Sequence, residues 1–263
     1  MNQEQTPETI LSDLPGWEGA TCRELGGGLT NRTLLVEAGD RRAVLKVDEK
    51  PRSAPFNSRL REAQIQNTAV EAGLANDVIL VTDTAYMTEY VEGVIWSNNC
   101  LEDNDNLDSL AAALRKLHSL PLTGRTFDAV GAAREYIRRI DDADADQVRD
   151  CLQKIESSPL PPNLCCCHND LVVANIINTP EVRFLDWEYA CDNDPFFDLA
   201  TIVAHHKLSS EQTDYMLDAY FDGDGKRWRE QLARQASVYE ALLWLWSAAR
   251  SQREVQSDQG GDR

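Results

Sequence analysis

The sequence contains no long apolar run. No window of about 18 consecutive apolar residues occurs in the chain, so we expect no membrane-spanning helix. The first 30 residues are acidic and lack a basic start followed by an apolar stretch, which argues against a secretory signal. A cytoplasmic protein is therefore expected. The hydrophobic content of 42% predicts that most of the chain folds.

Positive charge is scarce relative to negative charge. Lys and Arg together number 26, against 44 Asp and Glu residues, which gives a formal net charge of −18. A chain this acidic repels the phosphate backbone of nucleic acids, so we expect neither DNA nor RNA as a partner. The same field attracts cations, although acidity also serves solubility.

The seven cysteines lack the spacing of a disulfide framework or of a zinc finger. Their number is odd, and three of them are consecutive, at positions 165–167, before His168. Because consecutive strand residues point to opposite faces, the run 165–168 does not converge on one zinc ion. We predict a buried strand here, in a protein that resides in a reducing compartment.

Residues 1–92 are predicted to form a small β-rich lobe. A turn at residues 38–40 joins two strands, and a helix closed by Gly73 precedes two more. Lys46 shares one face of the second strand with Val44, opposite the apolar face. The predicted elements are strands 33–37 and 43–47, helix 59–72, and strands 78–82 and 85–91.

Residues 93–250 are predicted to form a larger α-helical lobe. Apolar residues recur at helical spacing from Leu107 to Leu117, across residues 132–155, and from Trp228 to Trp246. The acidic run 141–146 predicts a solvated bend within the second of these regions. The β elements of this part are grouped in residues 165–186, and the polar residues 251–263 are predicted to be a disordered tail. The outline is an α+β protein of two lobes, and a cleft between lobes commonly holds a ligand.

Three features of the β-rich lobe suit the phosphates of a nucleotide. Three glycines at 26–28 precede Thr30 and Asn31 in a turn whose backbone can approach a phosphate closely. Lys46, at the centre of an apolar strand, suits pairing with phosphate oxygens. Glu62 on the following helix is expected to hold Lys46 as an ion pair.

Polar residues near position 170 suit proton transfer and cation binding. His168, Asp170 and Asn175 form the pattern His-x-Asp-x-x-x-x-Asn around an apolar Leu-Val-Val-Ala stretch. A loop carboxylate such as Asp170 can accept a proton from a substrate hydroxyl, and the amide oxygen of Asn175 can bind Mg²⁺. Asp186 ends an apolar strand near Asn175 and completes a site of hard oxygen donors.

Taken together, these features follow the order and lobe placement of the kinase template and predict a bilobal protein kinase-like fold. Only 77 residues follow Asp186, the motif Asp-Phe-Gly is replaced by Asp186-Trp187-Glu188, and no Ala-Pro-Glu segment occurs. A protein-kinase activation segment does not fit this remainder. We therefore predict a small-molecule kinase that uses ATP and Mg²⁺.

The same motifs resemble those of the choline/ethanolamine kinase and aminoglycoside phosphotransferase superfamily, including thiamine kinase-like proteins. The segments that carry the resemblance are GGGLTN (26–31), LREA (60–63), TEYVEG (88–93), HNDLVVAN (168–175), FLDWEYA (184–190) and NDPFFDLA (193–200). It implies that Asp170 is the catalytic base, that Asn175 and Asp186 hold Mg²⁺, and that Asp198 supports the catalytic loop. The nucleotide-binding residues that it implies are Gly27, Gly28, Thr30, Asn31, Lys46 with Glu62, and the hinge residues Glu89 and Val91.

The resemblance also implies an acceptor that is a small, cationic alcohol, bound beside Asp170. In choline-type members, aromatic and acidic residues of the C-terminal helices enclose the cation. The candidates here are Tyr239, Glu240, Trp244 and Trp246, since aromatic faces attract quaternary ammonium groups. The spacing of the tryptophans also fits a helix core. Choline-type members usually carry an acid seven residues after the Asp that aligns with Asp198; that position is His205 here, a departure that counts against choline and makes His205 a further candidate acceptor-side residue. Thiamine, another cationic alcohol, remains compatible, and choline and ethanolamine stand beside it as candidate acceptors. An aminoglycoside-type phosphotransferase and a catalytically silent ATP-binding protein are the alternatives.

Overall fold

The computed structural model describes residues 6–26, 31–140 and 144–260. A five-stranded antiparallel sheet of order β1-β2-β3-β5-β4 forms the N-terminal lobe. Alternation along β3 places Ala43 and Leu45 in a core with Trp17, while Lys46 lies on the opposite face. The elements are α1 (Pro7–Ser12), β1 (Thr21–Glu24), β2 (Arg32–Ala38), β3 (Arg41–Val47), α2 (Arg59–Glu71), β4 (Val78–Val81) and β5 (Ala85–Glu89).

The predicted hairpin, helix and strand pair of this lobe are present, with two differences. Strand β1 was not predicted, because its residues are mostly exposed and show no apolar alternation; it pairs with β2 at the sheet edge. Strand β5 ends at Glu89, so Val91 lies beyond the sheet. Gly73 follows α2 with a φ of +70°, the left-handed conformation expected of a glycine that closes a helix.

The second lobe is mainly helical, with three short β units. A two-residue strand, β6, pairs with β8 and extends the β8–β9 hairpin, while β7 pairs with β10. The elements are β6 (Val94–Ile95), α3 (Asn104–His118), α4 (Ala129–Ile137), α5 (Ala145–Glu156), β7 (Cys165–Cys167), β8 (Ile176–Thr179), β9 (Glu181–Phe184), β10 (Cys191–Asn193), α6 (Pro195–His206), α7 (Ser210–Tyr220) and α8 (Arg229–Gly260).

Helix α8 continues through Gly260, whereas composition predicts a disordered tail from residue 251. Gln, Glu and Arg are good helix formers, so a polar segment can extend a helix that is already nucleated. Residues 261–263, and residues 141–143 of the predicted acidic bend, lie outside the described part of the chain. None of the described helices is both long enough and apolar enough to cross a bilayer.

One hydrophobic core joins the two lobes. Ile65 and Leu74 of the N-terminal lobe pack in the same buried cluster as Leu114, Phe184 and Trp187 of the helical lobe. Each such side chain contributes about 1.5–3 kcal/mol when it is fully buried. A second cluster packs α4 and α5 against α8. The segments that follow β7 and β9 contribute Leu171 and Trp187 to the first of these clusters.

The loop 51–58 fastens the N-terminal lobe to the loop that follows β9. The backbone N–H of Asn57 donates to the carbonyl of Glu188 at 2.8 Å, and its side-chain Nδ2 donates to the carbonyl of Ala190 at 2.8 Å. Arg125 in the helical lobe donates to the carbonyl of Pro55 at 2.7 Å. These bonds set the relative position of Lys46 and the chain from 186 to 190.

Candidate active site

A single buried carboxylate holds the loop that follows β7. Asp198, in the first turn of α6, accepts the backbone N–H of His168 at 2.9 Å and that of Asn169 at 2.7 Å. His118 Nε2, at the end of α3, lies 3.1 Å from the same carboxylate. Bonds to an ionised group are stronger than neutral ones. This is the geometry that the loop-supporting role of Asp198 requires.

Asn169 fixes the direction in which the chain enters Asp170. Its φ of 64° is left-handed, a conformation that Asn tolerates better than most residues. Its Nδ2 donates to the carbonyl of Tyr189 at 3.1 Å, and its Oδ1 accepts from Asn193 Nδ2 at 2.7 Å. The residue is buried. The side chain of Asn169 thus holds the loop both to the chain after β9 and to β10.

His168 joins this loop to the end of β9. Its Nε2 lies 3.0 Å from the carbonyl of Leu185, and its ring packs 4.9 Å from the ring of Trp187. Burial lowers the pKa of His168, so the ring is neutral at pH 7. The neutral ring donates from Nε2 to this carbonyl and so ties the loop after β7 to the end of β9.

Asp170 carries the electrostatics expected of a catalytic base. Asn175 Nδ2 donates to Asp170 Oδ2 and to its backbone carbonyl, each at 2.9 Å. Burial, and then the negative charges of Asp186 and Glu188, raise the pKa of Asp170 to about 7. A carboxylate with a pKa near the working pH is well matched to accept a proton.

Asp186 lies beside Asn175 because of the β8–β9 hairpin. Leu185 N–H donates to the carbonyl of Asn175 at 2.9 Å, and Asp186 then turns with a left-handed φ of 63°. Its Oδ1 lies 2.7 Å from Lys46 Nζ. Burial alone would raise the pKa of Asp186, but the Lys46 ammonium holds it below its ordinary value.

The expected ion pair between Lys46 and Glu62 is replaced in this structure by the Lys46–Asp186 pair. Glu62 Oε2 instead pairs with Arg59 Nη1 at 2.8 Å, one helical turn earlier, and its Oε1 is buried with no hydrogen-bond partner in the described part of the chain. Burial would lower the pKa of Lys46, but Asp186, Glu62 and Glu188 together raise it. Glu62 therefore acts on Lys46 through its field rather than through contact.

Sequence reasoning missed a buried ion cluster next to this pair. Arg52 Nε lies 3.0 Å from Asp48 Oδ1, and Arg52 Nη1 pairs with Glu188 Oε2. Asp48 also pairs with Arg59 at 2.6 Å. Burial and the charge of Asp186 raise the pKa of Glu188 to about 7, against the opposing effect of Arg52. Glu188 lies within the FLDWEYA motif, whereas Arg52 lies in a Pro- and Ser-rich loop that gave no signal.

The donor atoms of this site fit Mg²⁺. Asn175 uses Nδ2 for both of its bonds to Asp170, so the oxygen Oδ1 is the atom that can face a cation. Asp186 adds a carboxylate, and Mg²⁺ prefers such oxygen ligands. Burial, and after it the charge of Asp186, raises the pKa values of Asp170 and Glu188 to about 7. A divalent cation bound here would offset the repulsion among these carboxylates.

The glycine-rich turn lies at the limit of the described residues. Gly27, Gly28 and Thr30, predicted to contact phosphates, fall outside them. Asn31 stands immediately before β2, where its Oδ1 accepts the Thr33 hydroxyl at 2.7 Å. Its predicted contact with the nucleotide remains a prediction.

The predicted adenine hinge follows β5. The backbone N–H of Glu89 donates to the carbonyl of Asp77 at 2.9 Å. The backbone carbonyl of Glu89 accepts from Asn76 Nδ2 at 3.3 Å. A carbonyl oxygen has two lone pairs, so Glu89 can accept one further bond. Val91 lies in the connection between β5 and β6. The hinge roles of Glu89 and Val91 remain predictions.

Two of the predicted acceptor-side residues are brought together. The hydroxyl of Tyr239 lies 3.4 Å from His205 Nδ1, a contact between α8 and α6. Burial raises the pKa of Tyr239, and the charge of Asp170 raises it further, which places this hydroxyl within the field of the candidate base. Burial lowers the pKa of His205, so its ring is neutral at pH 7.

The other predicted acceptor-side residues have different surroundings. Glu240 is exposed, because adjacent helix residues lie about 100° apart around the axis and Tyr239 takes the buried face. Trp244 and Trp246 are partly buried against the core formed by α4, α5 and α8. The guanidinium of Arg250 lies 5.5 Å from the ring centre of Trp246. Both tryptophans thus have packing partners. Their helical spacing had left open this place at the edge of the core as the alternative to an acceptor-binding role.

Two tyrosines that sequence reasoning missed also lie in the field of Asp170. Tyr136 on α4 and Tyr189 after β9 are hydrogen-bonded to each other. Burial raises the pKa of Tyr136 to about 12, and burial also raises that of Tyr189; the charge of Asp170 contributes to both. With Tyr239 they form what we call the tyrosine wall. Tyr189 belongs to the FLDWEYA motif, whereas nothing in the sequence singles out Tyr136.

Known phosphotransferases are similar to this chain over most of its length. The model of the phosphotransferase enzyme family matches residues 21–245. Protein LicA of Haemophilus influenzae is 28% identical over 246 residues, which cover 86% of this chain and 72% of LicA. Thiamine kinase of Salmonella typhi is 28% identical over 234 residues, which cover 83% of this chain and 77% of that enzyme.

The fold is shared with a solved kinase. The crystal structure of choline kinase LicA from Streptococcus pneumoniae superposes with a TM-score of 0.76 at 22% identity, covering 89% of this chain and 86% of that one. The α+β, bilobal protein kinase-like architecture predicted from the sequence is thereby confirmed.

Proposed function

The chain belongs to the phosphotransferase enzyme family, and on this premise we propose that it transfers the γ-phosphoryl group of ATP to the hydroxyl of a small cationic alcohol such as choline, ethanolamine or thiamine. One observation supports the proposal: Asp170, whose Oδ2 accepts from Asn175 Nδ2 at 2.9 Å, interacts electrostatically with Asp186 of the Lys46–Asp186 pair and with Tyr239. The same carboxylate is thus near residues proposed to bind the phosphates and a residue proposed to bind the acceptor. The similarity to relatives named choline kinase and thiamine kinase supports the choice of acceptors.

Asp170 receives the proton of the acceptor hydroxyl in this proposal. Its Oδ2 accepts from Asn175, which leaves Oδ1 for the hydroxyl. As the oxygen of the acceptor attacks phosphorus, the bond to the leaving ADP breaks and the hydroxyl proton passes to Asp170. Holding the two reactants in line accounts for most of the rate enhancement in such a mechanism.

The phosphate side needs positive charge. Asn175 and Asp186 would hold Mg²⁺, which when bound offsets the negative charge of the ATP phosphates. Lys46 is buried on β3 and its charged form is favoured, so it can pair with phosphate oxygens. Asp48 and Glu62 keep Arg59 in place behind Lys46.

The acceptor side favours a cation over a neutral alcohol. The faces of aromatic rings attract quaternary ammonium groups, by about 2 kcal/mol or more where water is excluded. Tyr136, Tyr189 and Tyr239 interact electrostatically with Asp170, so theirs are the rings proposed to face such a cation, and the formal net charge of −18 adds a general attraction. Because His205 is neutral, it adds no repelling charge.

ADP release with ATP and Mg²⁺ across an acceptor panel tests the proposal. The panel contains choline, ethanolamine, thiamine, an amino sugar and one aminoglycoside. We expect stimulation by one of the first three in the wild-type protein and none in Asp170→Ala. Asp40→Ala, which changes an exposed turn carboxylate, is the matched control and keeps full activity.

The panel also separates the alternatives. Stimulation by the aminoglycoside alone would replace the cationic-alcohol assignment with an antibiotic-modifying one. ATP binding without stimulation by any acceptor would favour a silent nucleotide-binding protein. Turnover that survives in Asp170→Ala would remove the role assigned to that residue.

A further inference from the structure

A cluster of soft metal ligands lies outside the Mg²⁺ site. The imidazole of His118, at the end of α3, and the thiols of Cys165 and Cys167, on β7, place their ligand atoms within 4.8 Å of one another. Neither thiol is in a disulfide. Nothing in the proposed phosphoryl transfer uses either sulfur.

The two sulfurs converge more closely than their strand positions require. Residues two apart on a strand are about 6.6 Å apart along the backbone, with side chains on the same face. Cys165 Sγ and Cys167 Sγ are nevertheless only 3.5 Å apart. Tetrahedral zinc with Zn–S bonds of about 2.3 Å holds two sulfurs about 3.8 Å apart. The observed separation is close to that of two thiolates on one ion.

His118 already has the second contact that metal-binding histidines need. Its Nε2 lies 3.1 Å from Asp198, and a ligating histidine commonly donates its other ring N–H to a carboxylate. This leaves Nδ1 for a metal. The contact that a metal would replace is the one between Nδ1 and the Tyr220 hydroxyl, at 2.7 Å.

We propose that His118, Cys165 and Cys167 form a binding site for Zn²⁺, with water as the fourth ligand. Binding replaces one proton on each thiol by the metal, and both protons pass to solvent. Imidazole and thiolate are ligands that zinc favours, whereas the Mg²⁺ site offers only oxygen donors. The site is independent of the proposed phosphoryl transfer and goes beyond it.

Three consecutive cysteines do not show in the sequence which two of them share a face with His118. Neighbouring strand residues point to opposite faces, and Cys166 is accordingly buried in the main core, away from the other two thiols. Alternate residues share a face, so Cys165 and Cys167 meet His118. That third ligand is distant in the sequence and reaches β7 only through the packing of α3.

Zinc in this site has a structural effect. The ion ties the end of α3 to β7, and His118 holds Asp198, which holds the catalytic loop. A ligand that binds only the folded state stabilises it by mass action. Zinc is thus expected to raise the unfolding temperature and is not required for turnover.

Metal titration of the full chain under a phosphine reductant tests the proposal, since the reductant prevents a Cys165–Cys167 disulfide. Zn²⁺ is titrated against a chromophoric chelator, and Cd²⁺ serves as a spectroscopic probe of thiolate ligation. We expect one tight zinc per chain, an ultraviolet Cd²⁺–thiolate band, and a zinc-dependent rise in Tm. Cys165→Ser changes a half-buried thiol, and we expect it to keep its ATP turnover and to lose at least about 100-fold in zinc affinity, together with the band.

The control is Cys22→Ser, which removes another half-buried thiol, on β1, and is expected to bind zinc as the wild type does. Cys165→Ala gives the same result as Cys165→Ser if the sulfur is the ligand. A Cd²⁺ band and zinc affinity unchanged in both Cys165 variants would overturn the proposal. Absence of tight zinc binding by the reduced wild-type protein would also overturn it.

Discussion

The side chain of Asp170 is half-buried beside two other carboxylates, and its pKa is raised to about 7. An ordinary Asp in an unfolded chain titrates near 3.9. Between these two values the folded state binds more protons than the unfolded state. The contribution of Asp170 to stability therefore falls as pH rises from about 4 to about 7. The raised pKa thus suits Asp170 to accept a proton, and the same shift lowers the free energy of unfolding at neutral pH.

Replacing Asp170 with Asn separates these two effects. Asp170→Asn removes the proton acceptor, so we expect kcat to fall by about 10²–10⁴-fold. It also removes an uncompensated charge, so at pH 8 the variant is expected to be more stable by at least about 1 kcal/mol, or ~2–4 °C in Tm. Thermal unfolding monitored at pH 8 and pH 5 checks this. The difference should shrink at pH 5, and a less stable variant at pH 8 contradicts the electrostatic account.

The same residues predict how cation binding depends on pH. Burial and like charge raise the pKa values of Asp170 and Glu188 to about 7, so protons compete with Mg²⁺ below that pH. The apparent affinity for Mg²⁺ in the presence of ADP is expected to increase with pH up to about 8, by at most about tenfold per unit for each proton released. Calorimetric titration at several pH values measures it. An affinity for Mg²⁺ that does not change with pH would show that Mg²⁺ binding is not linked to the protonation of these carboxylates.

At the scale of elements, the loop 51–58 is held to the helical lobe by the Arg52–Glu188 pair. Both side chains are buried, with exposed fractions of 6% and 7%. Removing one partner of a buried pair leaves an uncompensated charge and typically costs about 3–5 kcal/mol. We expect Arg52→Gln to lower the free energy of unfolding by this amount and Arg52→Gln with Glu188→Gln to restore part of it. Urea unfolding of the single and double variants measures the coupling.

An exposed pair in the same lobe is the matched control. Arg32 and Glu24 form an ion pair whose side chains are 60% and 67% exposed. Arg32→Gln is expected to change stability by no more than about 1 kcal/mol. If Arg52→Gln is equally mild, or the double variant is the least stable, the loop is not held by this pair.

The elements also show which sequence signals were sufficient. Short apolar segments on either side of a turn signal located β2 and β3, and Gly73 located the end of α2, because these signals are local. The edge strand β1 and the two-residue β6 carry no such signal, since each is defined by the strand it pairs with. The structure continues α8 over residues 251–260, where composition predicts a disordered tail, because polar composition alone does not separate a helix from such a tail.

The candidate site was predicted where motifs are dense and missed where contacts are long-range. Asp170, Asn175 and Asp186 lie within 17 positions of one another, and the hairpin brings them together. Arg52 meets Glu188 across 136 positions, and Tyr136 meets Tyr189 only through the packing of α4. The Lys46–Glu62 pair was expected from sequence order. Arg59, one helical turn before Glu62, pairs with Glu62 instead of Lys46.

At the scale of the whole molecule, the excess of acidic residues should act on the acceptor. A net charge of −18 creates a field that salt screens over about 10 Å at 0.1 M ionic strength. The KM of a cationic acceptor is therefore expected to rise several-fold with ionic strength while kcat changes little. The neutral carbon isostere of choline serves as the control and should show no such rise. Equal salt dependence for both alcohols would exclude steering by charge.

The most direct measurement is the identity of the phosphorylated product. The protein is incubated with ATP, Mg²⁺ and each cationic alcohol, and the acceptor is analysed by phosphorus NMR and mass spectrometry, with Asp170→Asn in parallel. The account predicts a phosphomonoester of one cationic alcohol in the wild-type reaction and none in the variant, although the variant still binds ATP. ATP consumption without any phosphomonoester, or equal product from the variant, would contradict it.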